Sequence, residues 1–233
     1  MDRETLSATT HADRPFANPL SEDVVARAIA ALDLPDGARA LDIGCGRGEL
    51  LARVPGVRRV GIEPSARWAA VARERLDEVH EARFEDVELE PASFDLVCCV
   101  GASHAIGRWD DALRTLATLT RPLGYAIVGE GFWRREPSAA YLEVLGATAD
   151  ELPDRDRLEA GAIDAGWALV HHEISSDADW ADYEETLAAN GERAYARNPD
   201  SDLRAWLDGM AARWNNPDGK DTLGFALLTL QRG

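Results

Sequence analysis

Short apolar runs alternate with amphipathic segments along the first 133 residues of this 233-residue chain. The apolar runs are typical of buried strands, because glycine, proline or charged residues bound each of them. The segments between the runs place apolar side chains at helical spacing. The pattern predicts strands over 39–43, 58–63, 79–83, 93–101 and 124–133, and helices that begin near residues 21, 49, 65 and 109.

The second part of the chain follows a different pattern. It predicts a helix over 155–165, a strand over 167–175, a long polar helical stretch with turn signals near 198 and 215, and a last strand over 222–232. Strands joined through helices form parallel sheets that are covered on both faces. We therefore predict an α/β fold with a doubly wound, mostly parallel, seven-stranded sheet.

The organisation of the chain indicates one domain over 1–233, because no repeat, low-complexity tract or linker divides it. We divide this domain into an N-terminal arm and helix (1–35), a core (36–133) and a C-terminal part (134–233). The C-terminal part carries a helical insertion at about 177–217, before the last strand. The arm and the insertion lie where such folds gain lids, and we expect them to form one.

Composition and charge exclude several classes of function. The 42 acidic and 25 basic side chains give a net charge of −17, which disfavours nucleic acid as a partner. No apolar run approaches the roughly 18 residues of a membrane span, and the first residues have no secretory signal pattern. Three cysteines are too few and too badly spaced for a disulfide framework. We therefore expect a cytoplasmic protein with no membrane partner.

A glycine-rich turn follows the first strand and carries the candidate chemistry. Asp42 comes just before Gly44, Gly46 and Gly48. Ligands of open α/β sheets bind beyond the carboxyl ends of the strands, where bare glycine backbone lets N–H groups approach them. The dinucleotide fingerprint G-x-G-x-x-G requires a third glycine where this chain has Glu49, and an acid there disfavours a pyrophosphate. The turn therefore favours a ligand that carries positive charge.

A second acid stands at the end of the second strand. Glu63 comes about 20 residues after the first glycines, where nucleotide-binding folds place the acid that accepts the ribose hydroxyls. Together with Asp42, it predicts a nucleoside ligand with cationic groups.

The segments "LDIGCGRGE", "VGIEPS" and "FDLVCCVGASHAIGRWDDALRTLATLTRPLGYAIVGE" resemble the class I S-adenosylmethionine-dependent methyltransferases, over about 21–133. The resemblance implies a Rossmann-like fold, S-adenosylmethionine as cofactor and S-adenosylhomocysteine as product. It implies that Gly44 and Gly46 hold the methionine part, that Asp42 supports the ammonium group or the turn, that Glu63 binds the ribose and that Pro64 lies against adenine. The full predicted cofactor-binding set is Asp42, Gly44, Cys45, Gly46, Glu63, Pro64, Phe84, Glu85 and Gly101. For Cys45, filling space in the turn is the alternative role.

One position departs from the family pattern. Relatives often carry an Asp after the third strand that reaches the adenine amino group, and this chain has Arg83 there. Arginine cannot accept that proton. Glu85 and Asp86 are the alternatives for the contact, with the backbone of Phe84 against the ring.

The catalytic residues are harder to predict, because methyl transfer depends mainly on alignment of donor and acceptor. A general base is needed only for a protonated acceptor. His104, after the fourth strand, and Glu130, at the end of the fifth, are the candidates, with a structural role as the alternative for His104. Trp133 and Tyr141 are candidate aromatic walls.

No metal site is expected, because the neighbouring side chains of His171 and His172 point to opposite faces of a strand. We hypothesise a methyltransferase acting on a small-molecule acceptor. The alternatives are a macromolecular (protein or RNA) methyltransferase, a nicotinamide-dependent oxidoreductase and a non-catalytic binding protein.

Overall fold

The seven strands form one sheet in the order β3-β2-β1-β4-β5-β7-β6, in a computed structural model that describes all 233 residues. The strands are β1 (Arg39–Ile43), β2 (Arg58–Ile62), β3 (Glu78–His80), β4 (Phe94–Val100), β5 (Thr120–Trp133), β6 (Trp167–Ile174) and β7 (Leu223–Arg232). The helices are α1 (Arg3–Thr10), α2 (Glu22–Ala30), α3 (Glu49–Ala52), α4 (Ala66–Ala72), α5 (Trp109–Leu119), α6 (Ala139–Leu145), α7 (Arg155–Asp164), α8 (Asp177–Arg197), α9 (Ser201–Trp214) and α10 (Gly219–Thr222).

The sheet is parallel from β3 to β5, and β7 lies antiparallel between β5 and β6. This confirms the predicted mostly parallel, doubly wound sheet. The strand order reverses at β1, which pairs with β2 on one side and β4 on the other, so Asp42 lies opposite Gly61 and Cys98. Ligands bind at such a reversal, beyond the carboxyl ends of the strands. The glycine turn therefore begins at the position where this fold holds ligands.

Two apolar clusters cover the two faces of the sheet. One packs α5 against the sheet through Trp109, Leu113 and Leu116, and the other packs α2 and α3 against the opposite face. Successive side chains of β1 point to opposite faces of the sheet, so Leu41 belongs to the first cluster and Ala40 to the second. Burial on both faces holds the strand ends in fixed register.

The structure differs from the predicted elements mainly outside the core. The sequence pattern missed α1, where Asp2 accepts a hydrogen bond from the Thr5 N–H at 2.7 Å, and α6, which Ser138 caps. Helix α1 has one buried leucine, Leu6, which packs against α8 and α9. So short a helix shows little periodicity in the sequence. Tertiary contacts stabilise it.

Within the core, the bounds shift by a few residues. Strand β3 covers three residues, fewer than predicted, and β5 begins at Thr120, before Pro122, because Thr120 pairs with Phe94. The predicted helical insertion is present as α8 and α9, separated at 198–200. None of the helices combines the length and the apolar character that crossing a bilayer requires.

Candidate functional site

The glycine turn after β1 has a backbone that only glycine adopts readily. Gly44, Gly46 and Gly48 all have positive φ, at 72°, 53° and 76°. The N–H groups of Gly44 and Cys45 donate to the carbonyl oxygen of Ile62 at 2.9 and 3.0 Å, which ties the turn to the end of β2. A Cβ on Gly44 would lie 2.4 Å from the Cβ of Ala102. The turn is therefore closed to any larger residue at Gly44.

Two buried carboxyl groups flank this turn. The side chains of Asp42 and Glu63 are 3% and 7% exposed. Glu63 accepts hydrogen bonds from the N–H groups of Gly46 and Ser65, both at 2.9 Å. Burial, reinforced by the nearby Glu63, raises the pKa of Asp42 to about 7. Burial also raises the pKa of Glu63, while its two backbone hydrogen bonds oppose that rise. A cation at this turn would stabilise both ionised carboxylates.

The turn and the two acids open onto the glycine-turn cavity, which has a volume of about 260 Å³. Most of the residues predicted from the sequence line it together. These are Asp42, Gly44, Cys45, Gly46, Glu63, Pro64, Gly101 and His104. Cys45 is buried, and burial raises the pKa of its thiol.

Phe84 and Glu85 line an adjoining space, the Phe84 cavity, which also contacts Gly44, Pro64 and His104. Arg83 Nη2 forms an ion pair with Glu85 at 2.7 Å. Arg83, which stands where relatives often carry an Asp, therefore pairs with Glu85. Glu85 is one of the two predicted replacements for that Asp in the contact with the adenine amino group. Asp86, the other alternative, does not line the cavity.

His104 and Glu130, the two predicted catalytic residues, lie in different cavities. The His104 side chain is exposed and lines the glycine-turn and Phe84 cavities. Glu130 is 9% exposed and lines a third space, the Glu130 cavity, with a volume of about 380 Å³. The structure therefore does not bring the two candidates together.

Two hydrogen bonds hold the Glu130 carboxyl group. Its Oε2 accepts a hydrogen bond from the Ser103 hydroxyl, and its Oε1 accepts one from the Gly131 N–H at 2.9 Å. Burial raises its pKa, and the Ser103 hydrogen bond opposes that rise. Ser103 was not predicted, although it comes directly before His104 in the sequence.

The glycine-turn and Glu130 cavities share one wall, formed by Ala17, Asn18 and Gly101. Asn18 is 9% exposed, and its Oδ1 is buried without a hydrogen-bond partner. Gly101 has a φ of 69°, and a Cβ placed on it would lie 3.6 Å from Asn18 Nδ2. Sequence reasoning missed Asn18, and the one available signal was the Asn-Pro turn in the arm. The two cavities therefore adjoin at these three residues.

The arm containing Asn18 is fixed to α8. His11 Nε2 lies 2.9 Å from the Tyr183 hydroxyl, Arg14 forms an ion pair with Asp182 at 2.7 Å, and Asn190 donates to the Thr10 carbonyl oxygen at 2.8 Å. The predicted association of the arm with the helical insertion is therefore present in the structure.

The remaining predicted residues lie away from the shared wall. Trp133 is buried and donates to the Ala149 carbonyl oxygen at 2.7 Å. Tyr141 is buried beside the cavity next to Trp214. His171 and His172 lie within 3.0 and 2.9 Å of Glu173 and Glu159, and no cluster of three or more metal-binding side chains is present.

Comparisons with known proteins agree with this geometry. Residues 41–128 match a family described as a methyltransferase domain. The Escherichia coli (strain K12) protein called uncharacterized protein YjhP is 28% identical over 218 residues, 88% of this chain and 88% of that protein. Trans-aconitate 2-methyltransferase of Variovorax paradoxus (strain S110) is 29% identical over 59% of this chain and 57% of its own.

A solved structure has the same fold over its full length. The S-adenosylmethionine-dependent methyltransferase of Thiobacillus denitrificans, in complex with S-adenosyl-L-homocysteine, superposes with a TM-score of 0.82 at 25% identity. The match covers 100% of this chain and 99% of that one. Residues 41–128 thus match a methyltransferase domain, and the whole chain has the fold of a class I S-adenosylmethionine-dependent methyltransferase, as its sequence predicts.

Proposed function

We propose that this methyltransferase binds S-adenosylmethionine in the glycine-turn cavity and methylates a small molecule in the Glu130 cavity. The observation that carries this proposal is the wall shared by the two cavities, because group transfer requires the two ligands to meet. The S-adenosyl-L-homocysteine bound in the Thiobacillus denitrificans structure supports the choice of donor.

The glycine-turn cavity fits this cofactor by charge. Asp42 and Glu63 are buried acids beside the turn, and a cationic ammonium group offsets the cost of ionising Asp42. Each Glu63 oxygen holds one backbone N–H and keeps acceptor capacity for ribose hydroxyls. We assign the adenine to Pro64, Phe84 and Glu85, around the adjoining Phe84 cavity.

When bound, S-adenosylmethionine supplies an electrophilic methyl group and leaves as a neutral thioether. The protein aligns the acceptor and, for a protonated acceptor atom, removes its proton. We assign this proton removal to Glu130 as the general base, because its carboxyl group lines the acceptor cavity and the Ser103 hydroxyl holds it in place. His104 remains the alternative base, from the cofactor side of the wall.

The shape of the Glu130 cavity favours a small acceptor. It lies beneath the arm and is lined by α8 and α9 through Trp180, Tyr183 and Trp206. The net charge of −17 opposes a nucleic-acid acceptor. The names of two matched relatives, trans-aconitate 2-methyltransferase and ubiquinone biosynthesis O-methyltransferase, also refer to small molecules. We further propose a reducing, cytoplasmic location, since all three cysteines are free.

The test is a screen of metabolite extracts for acceptor-dependent release of S-adenosylhomocysteine by the purified protein. We expect at least one fraction to support turnover. The control is Glu63→Ala, which should weaken cofactor binding by about 1.5–3 kcal/mol, the range for hydrogen bonds to a charged group. Tight cofactor binding with no turnover in any fraction would instead indicate a binding protein. Unchanged affinity in folded Glu63→Ala would remove the ribose assignment.

A further inference from the structure

A fourth space, the Trp214 cavity, continues the Glu130 cavity away from the shared wall. Its volume is about 330 Å³, and Tyr141, Trp180 and Trp214 form aromatic walls. Trp180, Glu184, Arg213 and Leu223 line both spaces. The two spaces therefore adjoin at these four residues. Trp180 Nε1 is buried there without a hydrogen-bond partner.

Two cationic side chains line the Trp214 cavity without a counter-ion. Arg213 is half-buried, and its guanidinium makes no ion pair or hydrogen bond within the protein. Lys220 is exposed, lies 4.3 Å from the centre of the Trp214 ring and forms no ion pair. A partly desolvated guanidinium without a partner binds an anionic ligand group favourably. Its planar N–H donors match the oxygens of a carboxylate or a similar anion.

The acids of this cavity leave these cations available. Asp177 is exposed and pairs with Arg134 at 3.2 Å. Glu184 has no ion pair, and burial raises its pKa, although Arg213 opposes that rise. In a protein with a net charge of −17, an anionic ligand needs such a local cationic site.

We propose that the methyl acceptor is an organic anion whose charged group binds Arg213 and Lys220 in the Trp214 cavity, while its methyl-accepting group lies in the Glu130 cavity. The second half of this statement rests on the proposed function. The first half, an anion site with aromatic walls, stands on the cavity and its unpaired cations alone. The whole proposal narrows the methyl acceptor to an elongated molecule with a carboxylate, sulfonate or phosphate at the end remote from the transferred methyl group.

The test uses two fluorescent probes that share one ring system. The first, 1-anilinonaphthalene-8-sulfonate, carries an anionic group, and N-phenyl-1-naphthylamine lacks it. Both are titrated against the protein with saturating S-adenosylhomocysteine, which blocks the glycine-turn cavity. The variants are Arg213→Gln, Arg213→Lys and Lys220→Met. The control is Arg204→Gln on the same helix, because Arg204 pairs with Glu192 at 2.7 Å and lines none of these cavities.

We expect Arg213→Gln to weaken sulfonate binding about 10–100-fold, the range for a lost charge-assisted hydrogen bond. Arg213→Lys should retain part of the affinity, and Lys220→Met should lose about two- to fivefold, as for an exposed charge. Arg204→Gln should bind like the native protein. The neutral probe should bind all variants alike, which also shows that the cavity remains folded.

Three results would overturn the anion site. They are no binding of the sulfonate probe, equal sulfonate affinity in native protein and Arg213→Gln, and an equal loss for the neutral probe. Failure of the proposed function would show separately, as no binding of S-adenosylhomocysteine or no turnover in the metabolite screen. If that product does not bind, the same titrations without it still test the anion site.

Discussion

The cofactor side and the acceptor side of this protein are built in different ways. On the cofactor side, Asp42, Gly44 and Glu63 come from two adjacent strand ends, and backbone hydrogen bonds fix the turn between them. On the acceptor side, Asn18, Glu130 and Arg213 come from distant parts of the chain and line one cavity, and side-chain contacts to α8 hold the arm that carries Asn18.

The difference teaches how much each side tolerates change. The glycine turn admits few substitutions, because a Cβ on Gly44, Gly46 or Gly48 would contact neighbouring atoms. A cavity lined by side chains from the arm and two helices can change its ligand through single residues while the sheet stays intact. We therefore expect substitutions on the acceptor side to alter turnover with cofactor affinity preserved, and substitutions in the turn to remove cofactor binding first.

The largest expected effect separates the two sides directly. Glu130→Gln should lower kcat by about 10²–10⁴-fold, the range for a lost general base, with cofactor affinity nearly unchanged. Because burial raises the pKa of Glu130, native kcat should rise with pH through a value above that of an ordinary glutamate, and the variant should lose this acid limb. The measurement is steady-state kinetics with the acceptor found in the screen.

His104→Ala is the matched comparison for that experiment. If Glu130 is the base, His104→Ala should keep most of the turnover rate, and its effect should fall on cofactor affinity. The opposite pair of results, a large kcat loss in His104→Ala and a near-normal rate in Glu130→Gln, would show that His104 is the general base.

The next effect concerns the turn itself. Gly44→Ala should weaken S-adenosylhomocysteine binding about 10²–10³-fold, because the added methyl meets Ala102 and φ is positive. Gly37→Ala is the control, since Gly37 has a similar φ of 77° and open space around it. It should bind like the native protein, at a cost of about 1–2 kcal/mol in unfolding free energy. Calorimetric titration with circular dichroism of both variants is decisive: equal affinities would show that the tight turn is not needed for binding.

A smaller effect follows from the pKa of Asp42. The ionised carboxylate binds a ligand ammonium group best, so below the pKa of about 7 binding must first remove a proton from Asp42. Cofactor affinity should therefore rise with pH, by up to about tenfold per unit, and level off above neutrality. Titrations from about pH 5.5 to 7.5 test this. A flat profile in native protein, or the same slope in Asp42→Asn, would remove Asp42 from the ammonium contact.

The smallest expected effect concerns the arm. Arg47, in the glycine turn, donates hydrogen bonds to the carbonyl oxygens of His11, at 3.1 Å, and Arg14. This link connects the cofactor turn to the arm, so if the arm is a lid, bound S-adenosylhomocysteine should slow amide exchange over residues 10–20 by about three- to tenfold. Arg47→Ala should reduce that gain. Equal exchange with and without ligand in native protein would mean that the arm is not a cofactor-responsive lid.

Sequence reasoning was most accurate where local pattern and buried contacts coincide. The bounds of β1 and the start of α5 match the prediction, because β1 is a buried run next to glycines and α5 is an amphipathic helix that begins beside charged residues. The cofactor-side residues follow from the same local signals, and their predicted roles remain to be tested.

The acceptor side could not be predicted in the same way. Asn18, Ser103 and Arg213 are ordinary polar residues in the sequence, and only the folded chain shows what they line or hold. Helix α1 was missed for a related reason, since its one buried leucine gives no periodicity and its stability comes from packing against α8 and α9.

The position of β7 has a consequence for how the protein is made. Residues 223–232 fill the gap between β5 and β6, so during synthesis the outer edge of β5 has no strand partner until these residues leave the ribosome. An apolar, unpaired strand edge can join other chains. A chain synthesised only as far as residue 222 would therefore expose the apolar edge of β5, which is the kind of edge that joins other chains.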